Sequence, residues 1–140
     1  HLYSEQHSSP EDAVSKALNE HTIAQVMGAQ MISGHLQGNF LKLISMMLQP
    51  HNVLELGTYT GYATIALAEG LKNEGKVYTV DTDSANQSVR DEYWERAGLN
   101  HKIQQCIGKA LDVLPTLDDV VFDLAFIDAD KGNYINYVNY

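Results

Sequence analysis

Three clusters of polar residues have the types and spacing to do chemistry. The first is FIDADKGNY, residues 126–134, where an apolar run from Leu124 to Ile127 opens onto Asp128, Asp130 and Lys131. Carboxylates bind cations and accept hydrogen bonds, and a lysine beside them can take a proton or offset a developing negative charge. The second is ELGTYTGYA, which sets Glu55, Gly57 and Gly61 in the spacing E-x-G-x-x-x-G. The third is VDTD, with Asp81 and Asp83. Read singly, each has a plainer meaning. A glycine turn closes any strand-to-helix connection, and Asp128 with Lys131 would be a solvated ion pair at a strand end.

What joins them is the pattern of elements that must carry them. NVLEL (52–56), KVYTV (76–80), KIQQCI (102–107) and FDLAFI (122–127) are short and apolar or β-branched, as buried parallel strands are. Helix-compatible segments separate them at 62–72, 84–97 and 110–117. This alternation predicts an α/β fold, a Rossmann-like doubly wound, mostly parallel sheet with about four strands. Ahead of it, Ser9 and Pro10 suggest a capped helix start. Leu36, Phe40, Leu41, Ile44 and Met47 outline a second helix that Pro50 ends. The chain therefore reads as one domain, 1–140, with N-terminal helices to residue 50 and βα units from 51.

In such sheets ligands collect beyond the carboxyl ends of the strands, where all three clusters lie. A glycine after the first strand, Gly57, lets the backbone turn sharply and approach a ligand, and Gly61 eases entry to the next helix. The spacing fits neither the dinucleotide fingerprint nor the phosphate loop, and Glu55 would repel a pyrophosphate, so a cation or zwitterion is expected. Asp81 is placed to accept hydrogen bonds from both ribose hydroxyls of a nucleoside, and Asp83 faces solvent or caps the next helix. Gly108 and Ala110 leave room for a flat ring. These features describe S-adenosylmethionine better than NAD or ATP.

Composition narrows the classes further. With 140 residues, 44% hydrophobic and 19% charged, the chain can build one core. A net charge of -9 and a pI near 4.9 work against phosphate backbones and anionic lipid, and no basic cluster offsets them, so no nucleic-acid or membrane partner is expected. The single cysteine, Cys106, excludes an internal disulfide, reads as a core residue and suits the cytoplasm. His1, His7, His21, His35, His51 and His101 form no metal-spaced pair. Tyr134, Tyr137 and Tyr140 repeat at helical spacing, which points to packing.

Four stretches, MISGHLQGNFL, VLELGTYTGYATIALAEGL, IGKALDVLPTL and FDLAFIDADKGNY, resemble the cation-dependent class I O-methyltransferases of the catechol and caffeoyl-coenzyme A type. The resemblance implies S-adenosylmethionine, a divalent cation such as Mg²⁺, a small hydroxylated aromatic acceptor and a homodimer. It implies that Glu55, Gly57 and Thr58 line the methionine and ribose side of the cofactor, with Tyr59 and Ala63 close by. Asp81 would hold the ribose and Ala110 would lie beside the adenine. Met31 and Ser33 would close over the cofactor, and Asp130 would contribute to its site. Asp128 would be a metal ligand, and Lys131 matches the family's catalytic lysine. His35 falls in the stretch that resembles the substrate-side helix.

The chain departs from the family at one point. The metal site there is completed by an Asp-Asn pair one strand further on, and no such dipeptide occurs here. The first residue is His and the last, Tyr140, falls within a helical pattern, so both ends are expected to be cut. The fourth strand is then expected at a sheet edge covered by a partner chain or a further segment. Metal-independent methyl transfer and a cofactor-binding but catalytically incomplete module are the competing readings.

Overall fold

The computed structural model describes residues 2–140, so His1 lies outside it. Its helices are α1 (Leu2–Gln6), α2 (Ala13–Gln25), α3 (Gly34–Leu48), α4 (Tyr62–Glu69), α5 (Gln87–Arg96), α6 (Ala110–Val113) and α7 (Tyr134–Val138). The strands are β1 (Asn52–Leu56), β2 (Lys76–Asp81), β3 (Ile103–Ile107) and β4 (Leu124–Ile127). All pairings are parallel, in the order β3-β2-β1-β4. This is the Rossmann-like parallel sheet that the alternation predicts.

Alternation along β1 assigns the two faces. Val53 joins Leu18, Leu41, Ile65, Leu67, Val77 and Trp94 in a core built with α2, α3, α4 and α5. Leu54 and Leu56 point the other way, to Val80, Ala110, Leu114 and Tyr137. Each of these large apolar side chains contributes about 1.5–3 kcal/mol by leaving water. Because helices cover both faces, β1 is buried from Val53 to Leu56. Its polar member, Glu55, is carried into the interior with them.

One helix start differs from expectation. The second helix begins at Ala13 rather than near Ser9, because Asp12 caps it by accepting from the amides of Val14 and Ser15 at 3.0 and 2.9 Å. A carboxylate at the N-cap also meets the positive end of the helix dipole. Ser9 instead offers its carbonyl to His35 Nε2 and Asn39 Nδ2, each at 2.7 Å. His35 thus ties the N-terminal segment to α3. β4 lies at one edge of the sheet, with no strand on its outer side among the described residues. Cys106 is half-buried and packs against the second core, as a small apolar residue.

Candidate functional site

The strand ends open onto two adjoining cavities of about 900 and 560 Å³, within the range of small-molecule sites. They share Gly57, Asp81 and Ala129. The larger is bounded by the glycine turn, by Met31 and Ser33 from the segment between α2 and α3, and by Asp83, Arg90 and Asp128. The smaller is bounded by Gly108, Ala110, Asp130 and Tyr137.

The turn after β1 is shaped by backbone contacts. Gly57 has φ +98°, and a Cβ there would stand 2.4 Å from the Asp128 carbonyl oxygen. The glycine therefore lets the tips of β1 and β4 approach each other as well as leaving room for a ligand. Gly61, at φ +83°, lies under the Trp94 indole, which donates to its carbonyl at 3.3 Å. Between them Tyr59 holds φ 51° without being glycine.

Asp81 organises this turn. Its Oδ2 accepts from the amides of Thr58 and Tyr59 at 3.0 and 2.8 Å and lies 3.3 Å from Arg90 Nη2. Its Oδ1 accepts from the Asp83 amide at 3.0 Å. Arg90 has no exposed surface, and its Nε donates to the Tyr59 carbonyl at 2.6 Å. The sequence assigned Arg90 no role. The available signal was its place with Tyr93 and Trp94 on one buried helical face, where an arginine needs a reason.

The expected residues fall into three groups. Met31, Ser33, Gly57, Thr58, Tyr59, Ala63, Asp81 and Asp128 line the larger cavity, and Ala110 and Asp130 line the smaller. Lys131 is exposed, one residue past Asp130, and lines neither cavity. Among the described residues it forms no ion pair with Asp128. Glu55 is elsewhere: it has no exposed surface, and its Oε2 accepts from Thr64 of α4 at 2.5 Å. Strand alternation turns it toward α4, and it lines neither cavity. The anionic wall is made by Asp81, Asp83 and Asp128 instead.

Burial governs the acid chemistry of Glu55, raising its pKa to about 7, with the Thr64 hydrogen bond and the neighbouring Thr79 hydroxyl opposing. Its folded pKa lies above the unfolded value of 4.5, so the folded state binds more protons between the two. Its contribution to stability is full below pH 4.5 and is lost as pH rises to about 7, on the order of 3 kcal/mol. Urea unfolding at pH 5.5 and pH 8 is expected to show this decline, and Glu55→Gln is expected to flatten it. An equal slope in both proteins would place the proton elsewhere. Asp130 is shifted the other way, below the usual carboxylate range, by the Tyr137 hydroxyl and the Asn133 amide that donate to it.

Comparison with known proteins gives a consistent picture. The O-methyltransferase family profile matches residues 5–140. A catechol O-methyltransferase of Niastella koreensis is 42% identical over 104 residues, 72% of this chain and 47% of that protein. A caffeoyl-CoA O-methyltransferase of Petroselinum crispum is 40% identical over 106 residues, covering 72% and 44%. The chain spans about half the length of the curated relatives it matches. Among solved structures, a Bacillus cereus O-methyltransferase in complex with SAH superposes with TM-score 0.89 at 33% identity, over 99% of this chain and 64% of that one. A Streptomyces achromogenes O-methyltransferase involved in tomaymycin synthesis, in complex with SAM, gives 0.89 at 28% identity, over 99% and 63%.

Proposed function

Because the chain belongs to the O-methyltransferase family, we propose that it binds S-adenosylmethionine across the two cavities and serves methyl transfer to a hydroxyl of a small, catechol-like aromatic. The observation that carries this is the placing of Asp81 where the cavities meet, fixed by two turn amides and beside a buried guanidinium. An ionised carboxylate has about four lone-pair sites, and the Thr58, Tyr59 and Asp83 amides leave a free one on Oδ1 for a ribose hydroxyl. Ala110 bounds a slot for the adenine, and Gly57, Thr58, Tyr59 and Ala63 bound the methionine side beneath Met31 and Ser33. Asp81, Asp83 and Asp128 favour a cation there.

S-adenosylmethionine supplies an electrophilic methyl group on a sulfonium, taken in line by an oxygen nucleophile. A phenol with pKa near 10 is about one-thousandth ionised at neutral pH, so the acceptor needs help to lose its proton. Lys131, next to the cavity wall, is the group we assign to accept that proton or offset the phenolate charge. The chain's other contribution is alignment, by the turn on one side and the α2–α3 segment on the other.

Asp128 offers carboxylate oxygens suited to a hard cation, but among the described residues no group of three or more His, Cys, Asp or Glu gathers to hold one. Mg²⁺ titrated into the chain with S-adenosylhomocysteine present is expected to bind no tighter than about 1 mM, since one carboxylate is a poor site. A micromolar site would mean that further ligands converge on Asp128.

The reading extends to a homodimer, supported by the exposed Phe40, Leu43, Met46 and Met47 on α3. It also extends to the cytoplasm, supported by the lone cysteine. No described helix is long and apolar enough to cross a membrane. The direct test incubates the chain with methyl-labelled S-adenosylmethionine and catechol, with and without Mg²⁺. Label in the acceptor supports the reading. Retention of label without transfer favours a cofactor-binding module, and neither retention nor transfer overturns it.

A further inference from the structure

Arg90 is a buried cation whose energetics do not favour it. Taking a guanidinium out of water is costly, and well-packed apolar residues often replace buried ion pairs without loss of stability. Its side chain nevertheless has no exposed surface, and its Nη1 and Nη2 are buried without a hydrogen-bond partner. The Asp81 carboxylate lies 3.3 Å from Nη2 but off the donor direction, so the two attract as charges while the donors stay unsatisfied. A side chain held on such terms is better explained by what it orients.

What it orients is Tyr59. The Tyr59 carbonyl accepts from Arg90 Nε at 2.6 Å, its amide donates to Asp81 Oδ2 at 2.8 Å, and its hydroxyl donates to the Met27 carbonyl at 3.0 Å. All of its polar groups are engaged, and it holds φ 51°, a left-handed conformation that costs a non-glycine residue about 1–2 kcal/mol. A residue in that region persists only where its surroundings impose it. Arg90 reaches both ends of the arrangement, the Tyr59 carbonyl and the Asp81 carboxylate, and it lines the larger cavity itself. The Tyr59 hydroxyl continues the chain of contacts to the segment that closes the cavity from above.

We propose that Arg90 is a positioning residue that presets the ribose side of the cofactor site, holding the Tyr59 peptide and the Asp81 carboxylate in their binding geometry. The inference rests on the cofactor reading above. Without Arg90, Tyr59 relaxes toward an ordinary conformation and Asp81 loses its countercharge. The ligand must then reorder both groups as it binds.

The test is calorimetric titration of S-adenosylhomocysteine into the wild-type chain, Arg90→Met, Arg90→Lys, Asp81→Asn and the double variant Arg90→Met/Asp81→Asn, with thermal melts to show that each is folded. Arg90→Met is expected to lose about tenfold or more in affinity. Arg90→Lys, which keeps the charge but not the planar fork, is expected to recover part of that loss. The double variant is expected to bind no more weakly than Asp81→Asn alone, because the two residues act as one unit. Undiminished affinity in Arg90→Met, or losses that multiply in the double variant, would overturn the role of Arg90 while leaving the cofactor reading in place. Should Arg90→Met not fold, wild-type affinity in Arg90→Lys would overturn it equally. A wild-type chain that does not bind S-adenosylhomocysteine would overturn the cofactor reading, and this inference with it.

Discussion

Asp81→Ala is expected to destabilise the chain by about 3–5 kcal/mol and to lower affinity for S-adenosylhomocysteine by at least about a hundredfold. The substitution removes the acceptor of the Thr58 and Tyr59 amides and the one carboxylate in salt-bridge contact with Arg90 among the described residues. Each amide left without a partner costs about 1–3 kcal/mol if it stays dry, and an uncompensated buried charge costs about 3–5. These costs do not simply add, because the turn will open and admit water, and Asp81 is itself partly exposed. Asp81→Asn keeps one acceptor oxygen and should fall between wild type and alanine. Urea unfolding and calorimetric titration read the two effects separately. An alanine variant that melts and binds as wild type does would remove Asp81 from both roles.

Gly57→Ala is the second large effect, and it arises from backbone rather than charge. The position has φ +98°, where an L side chain is strained, and the added Cβ would meet the Asp128 carbonyl oxygen at 2.4 Å and its carbon at 2.9 Å. Those are backbone atoms of a neighbouring strand end and cannot swing aside as a side chain can. Relief requires the tips of β1 and β4 to part, which displaces Asp128 and Ala129 from the cavity wall. A loss of more than about 3 kcal/mol in stability is expected, together with loss of cofactor binding. Gly132→Ala is the control: nothing lies within 4 Å of its Cβ position, and a change within about 0.5 kcal/mol is expected. Equal effects at the two glycines would show that the clash at Gly57 is absorbed.

The sheet was legible because its signal is local. NVLEL is bounded by Pro50 and Gly57, and β1 runs from Asn52 to Leu56 as read. β4 is shorter than the strand expected at 122–127, starting at Leu124. Asp123 ahead of it is turned back to accept from the amides of His51 and Asn52 at 2.7 and 3.1 Å. The candidate site was legible wherever a residue ends a strand, as at Gly57, Asp81 and Asp128, because strand ends in a parallel sheet share one side. Glu55 shows where that logic stops. Its distance in sequence from Gly57 is small, but alternation sends its side chain to α4, and only the register that sets it beside Thr79 shows its surroundings to be buried. Arg90 could not be placed for the opposite reason: its partners, Tyr59 and Asp81, come from other elements, and no spacing within α5 announces them. The helix start was misplaced because the capping carboxylate, Asp12, stands three residues past the Ser9-Pro10 signal, and its contacts with the Val14 and Ser15 amides are visible only in the fold.

The most direct measurement is equilibrium retention of labelled S-adenosylmethionine by the purified chain, challenged separately with unlabelled S-adenosylhomocysteine and with NADH. One molecule retained per chain, displaced by the first competitor and not by the second, is the predicted result. No retention, or displacement by the dinucleotide, would contradict the assignment of these strand tips to a sulfonium nucleoside.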